Sequence, residues 1–303
     1  MLKLDTHQHF WKYNPANAWP GPELTALHRD FLPSDLKPVL DEAGVSGCIA
    51  VQTAQTTAET EWLLTLAQLN PFIKGVVGWT NLCAPDIEEL LAGLQPSGKL
   101  KGFRHLLQDE PDDGFMLRAD FRRGLKALER YGHTYDLVIY PRHLACALTV
   151  CTEFPGINFI IDHAAKPGSP AIYAFWAAAI KKFAGLANVS CKISGLVTEA
   201  SPSSGSFSGV AGLAGNAGPS QAGQSGPGPA TFRNEDYSPV LDMVLDTFGP
   251  DRILYGSDWP VFLQVSDYTR VLELAAFAVR TLSGPEQLAF WSGNARRVYR
   301  ISD

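Results

Sequence analysis

Strand-like apolar segments alternate with helix-like segments eight times along the 303-residue chain. Three of the strand-like segments, GCIAVQT, DLVIY and FIIDH, are almost continuously apolar, as strands covered on both faces are. Such an alternation predicts a parallel sheet whose strands are connected by helical crossovers. We predict the eight strands at 2–10, 47–53, 73–82, 100–107, 135–140, 158–163, 188–194 and 252–257.

The segments between the strands have apolar residues at helical spacing. The segment ETEWLLTLAQL places Trp62, Leu63, Leu66 and Leu69 along one helix face, and ADFRRGLKALERYG closes on Gly132, a typical helix C-cap. Eight strands alternating with helices predict an α/β fold, a (β/α)8 TIM-like barrel that spans residues 1–303 as a single domain. An open doubly wound sheet is the alternative, but no glycine-rich dinucleotide motif follows the first strand.

Composition argues against several functional classes. The chain is 46% hydrophobic and 18% charged, which is typical of a soluble globular protein. A net charge of -6 without a basic stripe argues against nucleic acid or an anionic membrane as a partner. No apolar run approaches the roughly 20 residues of a membrane span, and the first strand leaves no room for a signal peptide. Five scattered cysteines indicate buried thiols, and we expect a cytoplasmic protein.

Residues 200–231 depart from the alternating pattern. They contain no charged residue and consist mostly of Gly, Ser, Ala and Pro. This composition offers no apolar face to pack against the rest of the protein. We predict a flexible low-complexity insertion in the loop that follows the seventh strand, on the face where barrel active sites lie.

Two histidines lie one residue apart in the first strand, in the segment LDTHQHFW. Since side chains alternate along a strand, His7 and His9 point to the same side, with Asp5 behind them. Two neighbouring imidazoles can hold a cation or a substrate oxygen. The alternative is a polar strand end whose side chains are satisfied by local hydrogen bonds.

Polar residues also occur at the ends of most of the other strands. The carboxyl ends of all the strands of a barrel open onto one face, so these residues should converge there. Any one of them alone is explained by a cap or a loop hydrogen bond, but the recurrence indicates an active site. In chain order they are Gln52, Arg104, His105, Tyr140, Arg142, His143, Asp162, His163, Lys166, Lys192, Glu199, Ser257, Asp258 and Trp259.

The segments HQH, IIDHAAKP and GSDWP resemble those of the amidohydrolase superfamily. More narrowly, RHLLQDEPDD and KISGLVTEA resemble the branch of sugar-acid lactonases, hydrolases similar to L-fuconolactonase and L-rhamnonolactonase. The resemblance covers nearly the whole chain apart from the insertion at 200–231. It implies a barrel of the metal-dependent hydrolase type that opens the ester ring of an L-fucono-, L-rhamnono- or related aldonolactone.

The resemblance also implies roles for individual residues. His7, His9, His163 and Asp258 would hold a metal, and Asp258 would be the base that activates water. Water becomes a good nucleophile when a base takes its proton or a metal lowers its pKa to about 7. We expect one divalent ion, with zinc as the first candidate because nitrogen and oxygen ligands suit it. A metal-free mechanism is the alternative.

The remaining strand-end residues are candidates for catalysis or substrate binding. Arg104, His105 and Lys192 could stabilise the negative charge that develops on the ester oxygen, and we expect catalytic roles for His105 and Lys192. Arg104 and His105 are neighbours, so a regular strand directs only one of them inward, and the sequence leaves the choice open. The residues expected to bind the substrate are Gln52, Arg104, Tyr140, His143 and Trp259.

Two other functions remain as alternatives. Related barrels remove carbon dioxide from aromatic or muconate-type acids with a similar set of histidines and an aspartate. The second alternative is a barrel that binds a ligand without catalysis, because a fold alone does not establish activity. The expected partner is a small sugar-acid lactone, with no nucleic acid and no membrane. The oligomeric state is not decided by the sequence, and a homodimer is one candidate.

Overall fold

Eight parallel strands form one sheet in a computed structural model that describes residues 2–17, 19–94, 97–168, 170–199 and 233–301. The insertion predicted at 200–231 lies outside the described residues. Neighbouring strands follow chain order, from β1 to β8, and each adjacent pair is parallel. The strands are β1 (Leu4–Gln8), β2 (Gly47–Val51), β3 (Ile73–Gly78), β4 (Leu100–His105), β5 (Thr134–Leu137), β6 (Phe159–Ile161), β7 (Val189–Ile193) and β8 (Ile253–Tyr255).

Backbone contacts just beyond β8 bring the last strand back to the first. Gln8 forms a parallel bridge with Trp259. The amide of His9 donates to the carbonyl of Trp259 (2.7 Å), and the amide of Asp258 donates to the carbonyl of His7 (2.7 Å). The sheet is therefore a nearly closed barrel, which confirms the predicted (β/α)8 architecture.

Helices connect successive strands and cover the outside of the barrel. The predicted C-cap is present, since Gly132 ends α4 with a left-handed φ of 69°. None of the helices among the described residues is long and apolar enough to cross a membrane. The helices are α1 (Pro33–Glu42), α2 (Thr57–Leu69), α3 (Ile87–Leu94), α4 (Ala119–Tyr131), α5 (Leu144–Glu153), α6 (Pro170–Ile180), α7 (Leu196–Glu199), α8 (Ser238–Phe248), α9 (Tyr268–Ala278), α10 (Gly284–Leu288) and α11 (Asn294–Val298).

Alternate strand residues divide the core into two layers. Along β2, Cys48 and Ala50 belong to the large cluster that packs against the helices. Ile49 and Val51 belong to a smaller cluster, together with residues of the C-terminal segment such as Tyr299. Because the side chains of a strand alternate between its two faces, the smaller cluster fills the barrel interior.

A register shift in β1 changes the direction of one side chain at the start of the site. Asp5 pairs with Cys48, but Gln8 pairs with Ala50, so β1 contains one extra residue between these pairs. The Asp5 carboxylate accepts hydrogen bonds from the Ser257 amide (2.8 Å) and from the hydroxyl of Tyr268 in α9 (3.0 Å). Asp5 therefore lies in the layer between sheet and helices, and not behind the two histidines as the regular alternation predicts.

Candidate active site

A cavity of about 190 Å³ opens at the carboxyl ends of the strands. This is the face on which the active sites of (β/α)8 barrels lie. Its walls combine titratable and apolar groups, a usual composition for a small-molecule site. The lining residues include His9, Trp19, Thr53, Arg104, Leu106, Gln108, Asp109, His163, Lys166, Glu199 and Asp258.

The four residues predicted from the sequence to form a metal site converge in and beneath this cavity. The Oδ1 atom of Asp258 lies 3.4 Å from His9 Nε2, 3.8 Å from His7 Nε2 and 3.9 Å from His163 Nε2. All four side chains are buried. An imidazole in β1, one directly after β1 and one in the turn after β6 thus surround a carboxylate that follows β8.

Hydrogen bonds to the Nδ1 atoms of His9 and His163 fix the orientation of these two imidazoles. His9 Nδ1 lies 2.8 Å from the carbonyl of Val51, which only accepts, so His9 Nδ1 carries the proton. His9 Nε2 then faces the Asp258 carboxylate. His163 Nδ1 shares a hydrogen bond with Ser194 Oγ (2.8 Å), and burial lowers the pKa of His163. Such partners hold an imidazole in the tautomer and orientation required of a metal ligand.

His7 is held at the base of the cavity by partners on both ring nitrogens. Its Nδ1 lies 3.2 Å from Asp162 Oδ1, and its Nε2 lies 3.2 Å from the guanidinium nitrogen NH1 of Arg104. Burial lowers the pKa of His7 well below its ordinary value, so a neutral ring accepts from Arg104 at Nε2. A metal ion would compete with Arg104 for this lone pair.

The donor set fits one divalent ion. One ligand atom each from His7, His163 and Asp258 lies within 4.8 Å of the others, and His9 Nε2 is directed at the same carboxylate. Imidazole nitrogens and a carboxylate oxygen are ligands that a catalytic divalent ion accepts.

A buried carboxylate beneath the cavity organises the cations around it. Asp162 Oδ1 lies 3.0 Å from Lys192 Nζ, and Asp162 Oδ2 lies 3.1 Å from Arg104 NH1. Burial alone would raise the pKa of Asp162, but His7, Lys192 and Arg104 hold it well below its ordinary value. The Asp162 carboxylate therefore stays ionised and anchors two cations and one imidazole in the barrel interior.

Arg104, and not its neighbour His105, points into the site. The side chain of Arg104 lines the cavity, whereas His105 lies on the opposite side of β4. There His105 Nδ1 accepts from Trp79 Nε1 (3.1 Å), its Nε2 lies 2.6 Å from Glu110 Oε1, and its ring stacks on Phe115 at 5.0 Å. The structure thus does not bring His105 to the site expected of a catalytic residue, because adjacent strand residues face opposite sides.

Two other predicted site residues lie behind the cavity wall. Lys192 is fully buried in the barrel interior, where its ammonium group contacts Asp136 (2.5 Å) and Asp162. Trp259 packs against the ring of Phe31 at 5.4 Å and belongs to the hydrophobic core. Neither of them is among the residues that line the cavity. Lys192 therefore contacts both His7 (3.3 Å) and Asp162 from beneath the site, and the Trp259 ring contributes to the site through packing.

The three remaining predicted residues support the cavity rather than form its surface. Gln52 Nε2 donates to the backbone carbonyl of Arg104 (3.1 Å), and the backbone carbonyl of Gln52 accepts from the Arg104 guanidinium (2.5 Å). Gln52 therefore positions Arg104. The ring of Tyr140 lies 5.1 Å from Lys166 Nζ. His143 is buried behind Tyr140, whose amide donates to His143 Nδ1 (3.1 Å).

A left-handed turn after β6 places two functional groups in the cavity together. Four consecutive residues have positive φ: His163 (53°), Ala164 (51°), Ala165 (56°) and Lys166 (51°). This conformation costs roughly 1–2 kcal/mol for each residue other than glycine, so surrounding contacts must hold it. One such contact is the hydrogen bond from Trp176 Nε1 to the carbonyl of Ala164 (2.7 Å). As a result, His163 and Lys166 line the same cavity.

Lys166 is a cavity residue to which the sequence pattern assigned no role. Its Nζ lies 3.0 Å from Glu199 Oε1, a second lining residue. Burial alone would lower the pKa of Lys166, but Glu199 and Tyr140 reverse this effect and raise it above its ordinary value. Lys166 therefore presents a positive charge to the cavity. Its position at the end of a strand is the same signal that identified His163.

Comparison with known proteins gives the family of this chain. A family model described as amidohydrolase matches residues 4–301. The chain is 36% identical to L-fucono-1,5-lactonase of Burkholderia multivorans, over 100% of this chain and 97% of the relative. It is 33% identical to L-fucono-1,5-lactonase of Burkholderia ambifaria, over 99% of this chain and 96% of the relative. The chain belongs to the amidohydrolase family.

A solved structure gives the same result for the fold. An amidohydrolase from Burkholderia multivorans with bound zinc has a TM-score of 0.85 and 35% sequence identity to this chain, with 100% of both chains covered. The eight-stranded barrel and the element order of this chain are therefore those of a solved member of the family.

We predict that Asp162→Asn destabilises the protein by about 3–5 kcal/mol, because it leaves buried cations with less compensating charge. Urea denaturation followed by circular dichroism measures the change. The control is Asp113→Asn, which removes an exposed carboxylate 2.8 Å from Arg142 and should leave the midpoint unchanged. Equal midpoints for both variants would show that Asp162 does not hold the interior charges together.

Proposed function

We propose that this protein is a hydrolase that opens the ester ring of a sugar-acid lactone. The observation that carries the proposal is Asp258, a carboxylate on the cavity wall surrounded by the Nε2 atoms of three imidazoles. This arrangement suits activation of a water molecule for attack on a carbonyl. Support also comes from the two L-fucono-1,5-lactonases that align with the whole chain at 33–36% identity.

Asp258 is the proposed general base. Its backbone has a positive φ of 67° and its amide donates to the carbonyl of His7, which fixes the direction of the carboxylate. We assign to this carboxylate the proton of the attacking water, and the return of that proton to the ring oxygen that leaves. A base held in one position contributes on the order of 10²–10⁴-fold to the rate of such a step.

Two cations on the cavity wall are the proposed partners of the charges on the substrate. Arg104 is fixed by Asp162 and by the carbonyl of Gln52, so its guanidinium is positioned in advance to stabilise the oxyanion of the tetrahedral intermediate. Lys166, paired with Glu199, would donate a hydrogen bond to the leaving ring oxygen or to a substrate hydroxyl. Charged donors of this kind form strong hydrogen bonds to oxygen.

One divalent ion, with zinc as the first candidate, would be held by His7, His163 and Asp258 with His9 beside them. When bound, such an ion lowers the pKa of water and polarises a carbonyl oxygen. Binding of the ion to His7 Nε2 requires that this atom give up its contact with Arg104. A metal-free reaction, in which Arg104 keeps that contact and supplies the positive charge, is the alternative.

The cavity favours one small polyhydroxylated ring as the substrate. Hydrogen-bonding side chains of Thr53, Gln108, Asp109 and Thr198 line it beside the charged groups, and such groups fix the orientation of a ligand that carries many hydroxyls. L-Fucono-1,5-lactone is the first candidate, and other aldonolactones of the same ring size are the next.

Assays for lactone hydrolysis and for decarboxylation test the proposed lactonase function against the alternative of a decarboxylase. Hydrolysis of L-fucono-1,5-lactone releases acid, which a pH indicator detects above the spontaneous rate, whereas a decarboxylase would release carbon dioxide from a dihydroxybenzoate. We expect acid release from the lactone and no carbon dioxide from the aromatic acid. Carbon dioxide release without lactone hydrolysis would make the protein a decarboxylase, and binding of a lactone without turnover would make it a binding protein.

We predict that Asp258→Asn folds normally and lowers kcat/KM for a good lactone by about 10²–10⁴-fold, since the amide cannot take a proton from water. Steady-state kinetics measure the change, and circular dichroism checks the fold. The matched control is Asp267→Asn, a change at the N-cap of α9 that keeps the side-chain oxygen accepting from the Arg270 amide. A loss of less than threefold for Asp258→Asn would rule out Asp258 as the base.

We predict that His163→Gln lowers bound metal and activity together, because a nitrogen ligand is lost. Elemental analysis by mass spectrometry gives the metal content, and the lactone assay gives the rate before and after chelation. His105→Gln is the control, since His105 lies outside the cavity among Trp79, Glu110 and Phe115. Full activity of the chelated wild-type protein would establish the metal-free reaction.

A further inference from the structure

A second cavity adjoins the cavity of the candidate active site and is not used by the proposed reaction. It has a volume of about 460 Å³, and we refer to it as the outer cavity and to the first as the inner cavity. The two cavities share Trp19, Thr53 and Leu106 as walls. The two cavities therefore lie next to each other at the carboxyl ends of the strands.

The two volumes suit ligands of different size. The inner cavity, at about 190 Å³, is smaller than the pockets of roughly 300–1,000 Å³ that hold drug-sized molecules, whereas the outer cavity lies within that range. A single lactone ring uses only the inner cavity. The outer cavity has room for at least one further ring of the same size.

Aromatic side chains form a fixed platform at the boundary between the cavities. Trp19 is 41% exposed, and its ring packs edge to face on Trp11 at 5.0 Å. Trp11 packs on Phe31 at 4.9 Å, and Phe31 packs on Trp259 at 5.4 Å. This chain of rings connects the platform to the residue that follows Asp258. A platform held in place in this way loses little conformational freedom when a ligand packs on it.

The polar groups of the outer cavity are mostly neutral. They include the amides of Asn14, Asn17 and Gln55 and the hydroxyl of Tyr13, with Lys12 as a cation and no carboxylate among the lining residues that the structure describes. The Oε1 atom of Gln55 accepts from the Leu106 amide (2.8 Å), so the group that Gln55 offers to a ligand is its NH₂. Amides and hydroxyls beside an aromatic face suit a neutral ring that carries several hydroxyl groups.

We propose that the outer cavity is a subsite for a second sugar ring, so that the substrates include the lactones of disaccharide acids. The lactone ring occupies the inner cavity beside Asp258, and the glycosyl group packs against Trp19 in the outer cavity. The reaction is still attack of water on the lactone carbonyl, and the glycosidic bond is left intact. This inference rests on the proposed lactonase function and extends its substrate class.

The test compares two lactones and two alanine-to-tryptophan variants. The lactones are unsubstituted D-glucono-1,5-lactone and cellobiono-1,5-lactone, which carries a glucosyl group on that same ring. Ala54→Trp adds a bulky ring to the wall of the outer cavity, which Ala54 lines, and Ala54 does not line the inner one. Ala58→Trp is the matched control, because Ala58 is exposed on α2 outside both cavities.

We expect wild-type protein to hydrolyse cellobiono-1,5-lactone with a kcat/KM at least equal to that for the unsubstituted lactone. Ala54→Trp should lower kcat/KM for the disaccharide lactone by tenfold or more and change that for the unsubstituted lactone by less than threefold. Ala58→Trp should change neither. Hydrolysis of the unsubstituted lactone with a 100-fold poorer rate for the disaccharide lactone would overturn the subsite and leave the lactonase function standing.

Binding gives a second readout that does not depend on turnover. Isothermal titration calorimetry with cellobionate and with the unsubstituted hexonate compares the two product acids on the same protein. We expect tenfold tighter binding of cellobionate to the wild type and loss of this advantage in Ala54→Trp. Equal affinities of the wild type for both acids would overturn the subsite, whereas absence of L-fucono-1,5-lactone hydrolysis in the acid-release assay would overturn the lactonase function.

Discussion

The ionised carboxylate of Asp162 is the interaction on which the site depends. It lies in the barrel interior, where it contacts Lys192, Arg104 and His7 within 3.2 Å. In a medium of low dielectric constant these contacts are strong, and removal of the anion would leave uncompensated positive charge. The Asp162 carboxylate orients His7 and, together with the backbone carbonyl of Gln52, fixes the direction of the Arg104 guanidinium.

Barrel closure and the turn after β6 bring the remaining groups to the same place. Closure joins Asp258 to the backbone of His7, and the left-handed turn places His163 and Lys166 on the same wall. The turn stores backbone strain that buried contacts hold in place, as is common at functional sites. Barrel closure thus positions the proposed base, and the strained turn and the strand ends position the proposed cations.

The segment between β1 and α1 supplies most of the residues that line the outer cavity. Its rings pack in a chain from Trp19 through Trp11 and Phe31 to Trp259. Trp259 was expected to bind the substrate, but its ring is part of the core and holds this segment against the strand end that carries Asp258. The same packing creates the outer cavity, so one set of aromatic contacts serves both the fold and the proposed subsite for a second sugar.

The sequence by itself determined the eight strands, the barrel and the convergence of His7, His9, His163 and Asp258, because the periods of strands and helices are local properties and parallel strands end on one face. The tertiary structure decided which residues enter the cavity. Arg104 enters the cavity and His105 does not, Lys192 lies beneath the site, and a register shift in β1 turns Asp5 outward. These outcomes depend on the pairing of segments that are distant in the chain and on which groups contact each buried charge. No local sequence pattern specifies either of them.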